Sequence, residues 1–192
     1  IGLQTLFKDL KLDNIGVYEV GYLIAPRINA MGRLASATDA LRFLCTRNIK
    51  KAGDLNKLLN ITNIERQKIV DEVLVKTLEK VNEDKIIVIS GKYHEGVIGL
   101  ASGKITEKFY RPSIVLSENG RISKASARSI SGFNIIEAIK ETDLILEGGG
   151  HPMAAGFSIE TTKISEFRLK INELNKGKLT DVAIKNFLDQ HA

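Results

Sequence analysis

From about Thr46 to Val81 the sequence holds no proline, and Leu55, Leu58, Leu59, Ile64, Val70, Val73, Leu74, Leu78 and Val81 keep an apolar stripe at helical spacing. Unbroken, such a helix extends roughly 50 Å at ~1.5 Å per residue, longer than an ordinary helix and suited to bridging two domains. A core helix of an all-helical domain is the other reading, and Gly53 offers an early break. Before this stretch the signals are helical: Leu3, Leu6, Phe7 and Leu10 repeat at helical spacing, and Thr38 or Asp39 could cap a short helix carrying Ala40, Leu41 and Leu44.

The pattern changes near residue 84, where strand-like and helix-like segments begin to alternate. Lys85 to Ser90 is a β-branched run, Val97 to Phe109 an amphipathic helix stopped by Arg111-Pro112, and Ser113 to Ser117 a second strand. Asn119-Gly120 is a tight-hairpin dipeptide leading into a third strand, Arg121 to Arg128. Asn134 to Lys140 reads as helix, Ala154 to Ile159 as a fourth strand and Ile164 to Leu174 as a closing helix. The fold class predicted is α/β (α+β): a helical N-terminal segment and a long connector helix, followed by a compact mixed-sheet domain flanked by helices.

The 192 residues, 43% hydrophobic and 27% charged, have the balance of a globular protein and exclude a disordered tail. No apolar run approaches the ~20 residues a membrane span requires. A single cysteine, Cys45, cannot form an intrachain disulfide, which points to a reducing, cytoplasmic setting. The chain opens on Ile1 and ends within an apparent helix, Asp181 to Gln190, and so reads as a piece of a longer protein. The net charge of +5 is modest, but residues 20 to 38 carry Arg27 and Arg33 with no acid, and residues 119 to 136 carry Arg121, Lys124 and Arg128 with none. Windows without an internal counter-charge suit a polyanion, although the same arginines could cap helices or face solvent.

Three clusters could carry chemistry. Gly148-Gly149-Gly150-His151 needs a conformational reason, because each glycine loses more backbone entropy on folding than any other residue. Either successive N–H groups line an anion beside His151, or the run is a tight turn before the strand at Ala154. In the strand ending at Arg128, alternation puts Lys124, Ser126 and Arg128 on one face, as a phosphate clamp or as a plain polar face. In Pro26 to Leu34, Arg27 and Arg33 could face one ligand or hydrogen-bond carbonyls at a helix end. Gly91 to Gly96 lacks the Lys-Ser/Thr of a Walker loop, no Cys or His spacing suits zinc, and His94 reads as a helix cap more readily than as a catalyst.

Pro26 to Leu34, His94 to Gly99, Tyr110-Arg111-Pro112, Ser126 to Ile130, Gly132-Phe133-Asn134 and Gly149 to Gly156 together resemble, in order and over nearly the whole chain, the RecJ family of single-strand-specific exonucleases, members of the DHH phosphoesterases. The resemblance implies that residues 1–45 end the DHH catalytic domain, 46–82 form the connector helix, 83–176 the DHH-associated substrate-binding domain, and 177–192 begin the linker to a following domain. It also implies a parent that hydrolyses single-stranded DNA from the 5′ end in repair and recombination, using Mn2+ or Mg2+. No Asp-His-His occurs in this chain, so the piece is expected to be inactive alone, with no catalytic residue, metal or cofactor of its own. Ser126, Arg128, Gly149, Gly150 and His151 are implied to bind strand phosphates, Lys124 stands beside them, and Arg27 and Arg33 fall on the substrate side of the first domain. Expected partners are single-stranded DNA and single-strand-binding or replication and repair proteins. Two alternatives stand beside this reading: a phosphoesterase of short oligonucleotides or nucleotides from the same superfamily, and a non-catalytic interaction module of a repair assembly.

Overall fold

The computed structural model describes residues 1–179. The helix expected over Asp181 to Gln190, and most of the stretch 177–192, lie outside the described residues. The chain divides into two compact units, Ile1–Ile69 and a second beginning at Val70. Each is described by itself.

The first unit is helical. Helix α1 (Gly2–Asp9) is followed by a π-helical turn, Glu19–Ile24, which runs directly into α2 (Ala25–Leu34). Pro26 sits in the first turn of α2, where its missing N–H is no loss. Helix α3 (Ala37–Cys45) precedes α4 (Ile49–Leu78), an unbroken helix of 30 residues that contributes to both units. Gly53 does not interrupt it. Leu6, Ile24, Met31, Ala40, Phe43 and Leu59 form the core of this unit.

The second unit is built on a five-stranded sheet in the order β1-β2-β3-β5-β4. Strand β1 (Ile87–Gly91) leads into α5 (Glu95–Phe109), and the chain returns as β2 (Ser113–Asn119), parallel to β1. Tyr110, at φ 45° in the left-handed region, ends α5, and Pro112 follows. A hairpin follows where the Asn-Gly dipeptide predicts one, but its two turn residues are Gly120, at φ 71°, and Arg121; Asn119 is the last residue of β2 and pairs with Ile122 of the antiparallel β3 (Ile122–Arg128). Helix α6 (Ile135–Lys140) is capped by Asn134, whose side chain accepts from the Glu137 amide. Strands β4 (Ile145–His151) and β5 (Ala154–Glu160) form a second hairpin, and α7 (Ile164–Leu174) closes the fold.

One expectation needs correction. The triple glycine is neither a cradle loop nor a turn: Gly148, Gly149 and Gly150 lie within β4, an edge strand paired antiparallel to β5, and Pro152-Met153 make the turn. The sheet therefore has five strands rather than four. Glycine's weak strand preference hides β4 in the sequence.

Sheet alternation sorts the second unit into two faces. One carries Ala125, Ala127, Ala155, Phe157 and Ile159, which pack with Phe133, Ile135, Ile139, Phe167 and Ile171 from the α6 and α7 side. Phe157 and Phe167 meet with ring centroids 5.1 Å apart. On the other face, α5 lies over β2 and β3 and buries Val97, Ile98, Ala101 and Ile105. Its Ser102 and Thr106 hydroxyls bond to Ser113, whose burial is thereby satisfied. Helix α5 is narrower than the sheet, so β5 and β4 on this side are left open.

Candidate nucleic-acid interface

The cross-strand register assembles this open face row by row. Lys124 pairs with Ser158, which stands opposite Glu147; Ser126 pairs with Gly156, opposite Gly149; Arg128 pairs with Ala154, opposite His151. Residues directly opposite in antiparallel strands project to the same side. Lys124, Ser126, Arg128, Gly149 and His151 therefore share one surface, with α5 as its wall and the strands as its floor.

The wall stands close because α5 has a glycine there. A Cβ on Gly99 would lie 2.9 Å from Ser126 Oγ and 3.4 Å from Arg128 Nη2. With hydrogen in its place, Ser126 and Arg128 run beneath the helix backbone. Arg128 is half-buried, and its Nη1 donates to the Ala127 carbonyl at 2.8 Å and to Ser126 Oγ at 3.4 Å. This guanidinium is held in place, which lowers the entropy lost when it grips a ligand.

The glycines of the floor play two different parts. A Cβ on Gly148 would come 2.7 Å from Phe157 Cβ, and one on Gly150, at φ 151°, would meet the Ala154 carbonyl and the Ala155 backbone. Those two are glycines because the packed side requires it. Gly150 thus shapes the strand and presents no side to the trough. Gly149 has no heavy atom within 4 Å of its would-be Cβ, and Gly156 has only the Ala125 carbonyl at 3.6 Å. The fold does not demand glycine at either position, yet together they keep the middle row flat.

Two hollows flank that row. One of ≈ 560 Å³ is bordered by Lys124, Glu147, Gly156 and Ser158. The other, of ≈ 610 Å³, is bordered by Gly103, Thr106, Tyr110, Arg128, Met153 and Ala154, and Met153 is 48% exposed there.

The acid-free window around Lys124 is not acid-free in space. Glu147, on β4, accepts from Lys124 Nζ at 3.0 Å and from Ser158 Oγ at 3.0 Å, while Lys124 Nζ also donates to Ser158 Oγ at 2.8 Å. The hydrogen bonds from Lys124 and then Ser158, together with the Lys124 charge, hold the Glu147 carboxyl below its ordinary range. Lys124 is thus already engaged, whereas Arg128 and Ser126 carry the middle of the trough.

In the first unit, Arg27 takes the structural role left open by its sequence context. Its Nε donates to Asn60 Oδ1 at 2.8 Å and its Nη1 to the Leu23 carbonyl at 2.5 Å. Asn60 and Asn56 in turn donate to Asp9. Arg33, in the last turn of α2, is half-buried. His94 is the N-cap of α5, its Nδ1 accepting from the Gly96 amide at 3.1 Å, which fits the cap reading. The sequence reading gave no role to Gly99, Ser158 or Glu147. A glycine inside a helical segment was the available signal for the first.

Among the described residues no group of three or more His, Cys, Asp and Glu side chains is placed to hold a metal ion. Also among them, no helix is long and apolar enough to cross a membrane.

Fold and trough define a mixed-sheet α/β domain with one open polar face. Residues 71–177 match the DHHA1 domain family, and the chain belongs to it. It is homologous to part of the single-stranded-DNA-specific exonuclease RecJ. Against the Bacillus subtilis protein it is 36% identical over 192 residues, 94% of this chain and 24% of that protein. Against the Thermus thermophilus protein it is 33% identical over 174 residues, 89% of this chain and 25% of that one. The crystal structure of Thermus thermophilus RecJ with Mg2+ superposes with a TM-score of 0.83 at 32% identity, covering 90% of this chain and 28% of that structure. An exonuclease RecJ bound to manganese gives 0.82 at 32% identity, over 92% of this chain and 45% of that one. The chain spans about a quarter of the length of these curated relatives.

Proposed function

We propose that this chain is the strand-holding part of a RecJ-like exonuclease that degrades single-stranded DNA in the 5′ to 3′ direction during DNA repair and recombination in the cytoplasm. The observation that carries the reading is the register of β3, β5 and β4, which sets Ser126, Arg128 and His151 around a glycine-flattened floor beneath α5. Arg128 supplies a planar fork for phosphate oxygens, Ser126 a shorter donor and His151 a further one. Lys124 joins once a phosphate competes with Glu147. Arg33 extends the contacts in the first unit, and Arg27 orders α2 against α4.

Hydrolysis belongs to a part of the longer protein that bears the metal ions, as the Mg2+ and manganese named for the related structures suggest. What this chain contributes is geometry: a strand held in line loses less entropy on reaching the transition state. Only 6% of its residues are aromatic and none is Trp, so phosphate contacts outweigh base stacking here.

Fluorescence anisotropy of a labelled oligothymidylate across a salt series tests the reading. With about three phosphates neutralised, log affinity falls against log salt with a slope near −2, from ~0.7 per contact for single strands. A flat line would remove the phosphate-gripping role.

A further inference from the structure

The hollow of ≈ 610 Å³ at the Arg128 end of the trough has a chemistry that phosphate contacts leave unused. Its volume falls within the range of about 300–1,000 Å³ usual for small-molecule sites. Helix α5 and its C-cap supply Gly103, Thr106 and Tyr110 to the lining, while Arg128, Met153 and Ala154 come from the end of β3 and from the β4–β5 turn and the start of β5. Two of the hydroxyls that border it are engaged elsewhere: Thr106 Oγ1 lies 2.8 Å from Ser113 Oγ, and Ser129 Oγ donates to the Phe133 carbonyl at 2.7 Å. Met153 leaves its thioether exposed at the mouth.

Gly103 is the residue that the fold does not explain. Glycine weakens a helix interior relative to alanine. Gly99, one turn earlier, is required by its contact with Ser126, but a Cβ on Gly103 would meet no heavy atom within 4 Å. Packing within the described residues therefore does not account for it, and a long side chain there would occupy the hollow. The hollow also discriminates by charge. The carbonyl end of α5 and the Glu107 carboxylate border it, which disfavours an anion inside, whereas the Arg128 guanidinium at its edge favours one there. A planar, uncharged group tethered to a phosphate meets both conditions. A nucleobase is such a group: each base has a face that stacks, and a methionine sulfur packs well against an aromatic ring.

We infer that this hollow is a nucleobase subsite, which takes in one base of the single strand while Arg128 grips an adjoining phosphate. Gly103 leaves it open, and Met153 and Tyr110 border the ring. The inference rests on the strand-binding reading above and adds a base contact to its phosphate contacts.

The test uses the 192-residue chain, a labelled oligothymidylate and an oligomer of equal length that keeps the sugar-phosphate but carries no bases. The wild-type chain is expected to bind the thymidylate about tenfold more tightly than the abasic oligomer, with one salt slope for both. Gly103→Leu fills the hollow and removes a glycine from a helix interior. It keeps or raises Tm, its thymidylate affinity falls to the abasic level, and its abasic affinity and salt slope stay at the wild-type values. Met153→Ala, at an exposed side chain, weakens thymidylate binding about threefold and leaves abasic binding unchanged. It decides alone if Gly103→Leu does not fold. A wild-type chain that binds the two oligomers equally overturns the inference. So does a folded variant that keeps the wild-type preference, or one that loses affinity for both oligomers alike; an apolar side chain of a partner protein then becomes the better occupant. A flat salt series for the wild-type chain with both oligomers is a different result, which defeats the strand-binding reading itself.

Discussion

Gly149→Leu separates fold from function at a single position. Gly149 lies in an extended strand with no heavy atom within 4 Å of its would-be Cβ, so the fold has room for a side chain. Replacing glycine where its φ is ordinary restricts the unfolded chain and stabilises by about 0.4–1 kcal/mol. At Tm that amounts to a rise of roughly 1–4 °C for a chain of this size. The leucine, however, rises from the middle row of the trough, across from Gly156 and one strand beyond Ser126. A strand lifted off the floor loses its bonds to Ser126 and Arg128. Losing one charge-assisted bond of ~1.5–3 kcal/mol weakens binding about 10- to 100-fold. Differential scanning fluorimetry paired with the anisotropy assay reads both numbers on one sample. The control is Gly150→Ala, at φ 151° and against the Ala154 carbonyl, which destabilises the chain. Wild-type affinity in a folded Gly149→Leu chain would refute the assignment of the trough.

Other expectations follow from the same geometry. Arg128→Ala and His151→Ala each weaken oligonucleotide binding by ~1 kcal/mol or more, about fivefold at least, read by anisotropy at fixed salt. Glu147→Gln releases Lys124 from its carboxylate and strengthens binding with a steeper salt slope; an unchanged slope would exclude Lys124 from the contact. Asp84, also in the second unit, is pH-sensitive. Burial raises its pKa, but hydrogen bonds from Asn82 and Arg168 and the charges of Arg168 and Arg111 outweigh that and hold it below the ordinary carboxylate value. A depressed folded pKa means that the native state releases the proton more readily than the unfolded chain. The contribution is therefore complete above the unfolded value of ~3.9 and is lost as pH falls through the folded one. Asp84→Asn is expected to lower Tm by about 2 °C at pH 7 and to flatten the acid limb of the stability curve, since the 2.9 Å pair with Arg168 is partly exposed.

Much of this architecture was legible in the chain. Helix α7 occupies the span that its apolar spacing marks, the β2–β3 hairpin closes beside the Asn-Gly dipeptide, with Gly120 and Arg121 as its two turn residues, and the proline-free stretch is one helix in which Gly53 is tolerated. Strand β4 was not legible, because three consecutive glycines carry neither β-branching nor alternation, and their strand conformation comes only from pairing with β5. The site divides in the same way. Alternation along one strand was enough to put Lys124, Ser126 and Arg128 on one face. The Glu147 that meets Lys124 is 23 residues away and arrives only through sheet order, so a window empty of acids in sequence has one in space. The division between Gly148 and Gly150, which pack, and Gly149, which does not, depends on the neighbouring Phe157 and Ala155 and has no local signature. The π-helical turn before Pro26 likewise has no marker in the pattern read here.

The central claim is that a single strand lies along the open face of β3, β5 and β4 beneath α5. Backbone amide chemical shifts of the 192-residue chain, followed while a short oligothymidylate is added, address it directly. The account predicts that the largest perturbations fall on Ser126, Arg128, Gly149, His151, Gly156 and Gly99. Perturbations confined to α6 and α7, on the opposite side of the sheet, would contradict it.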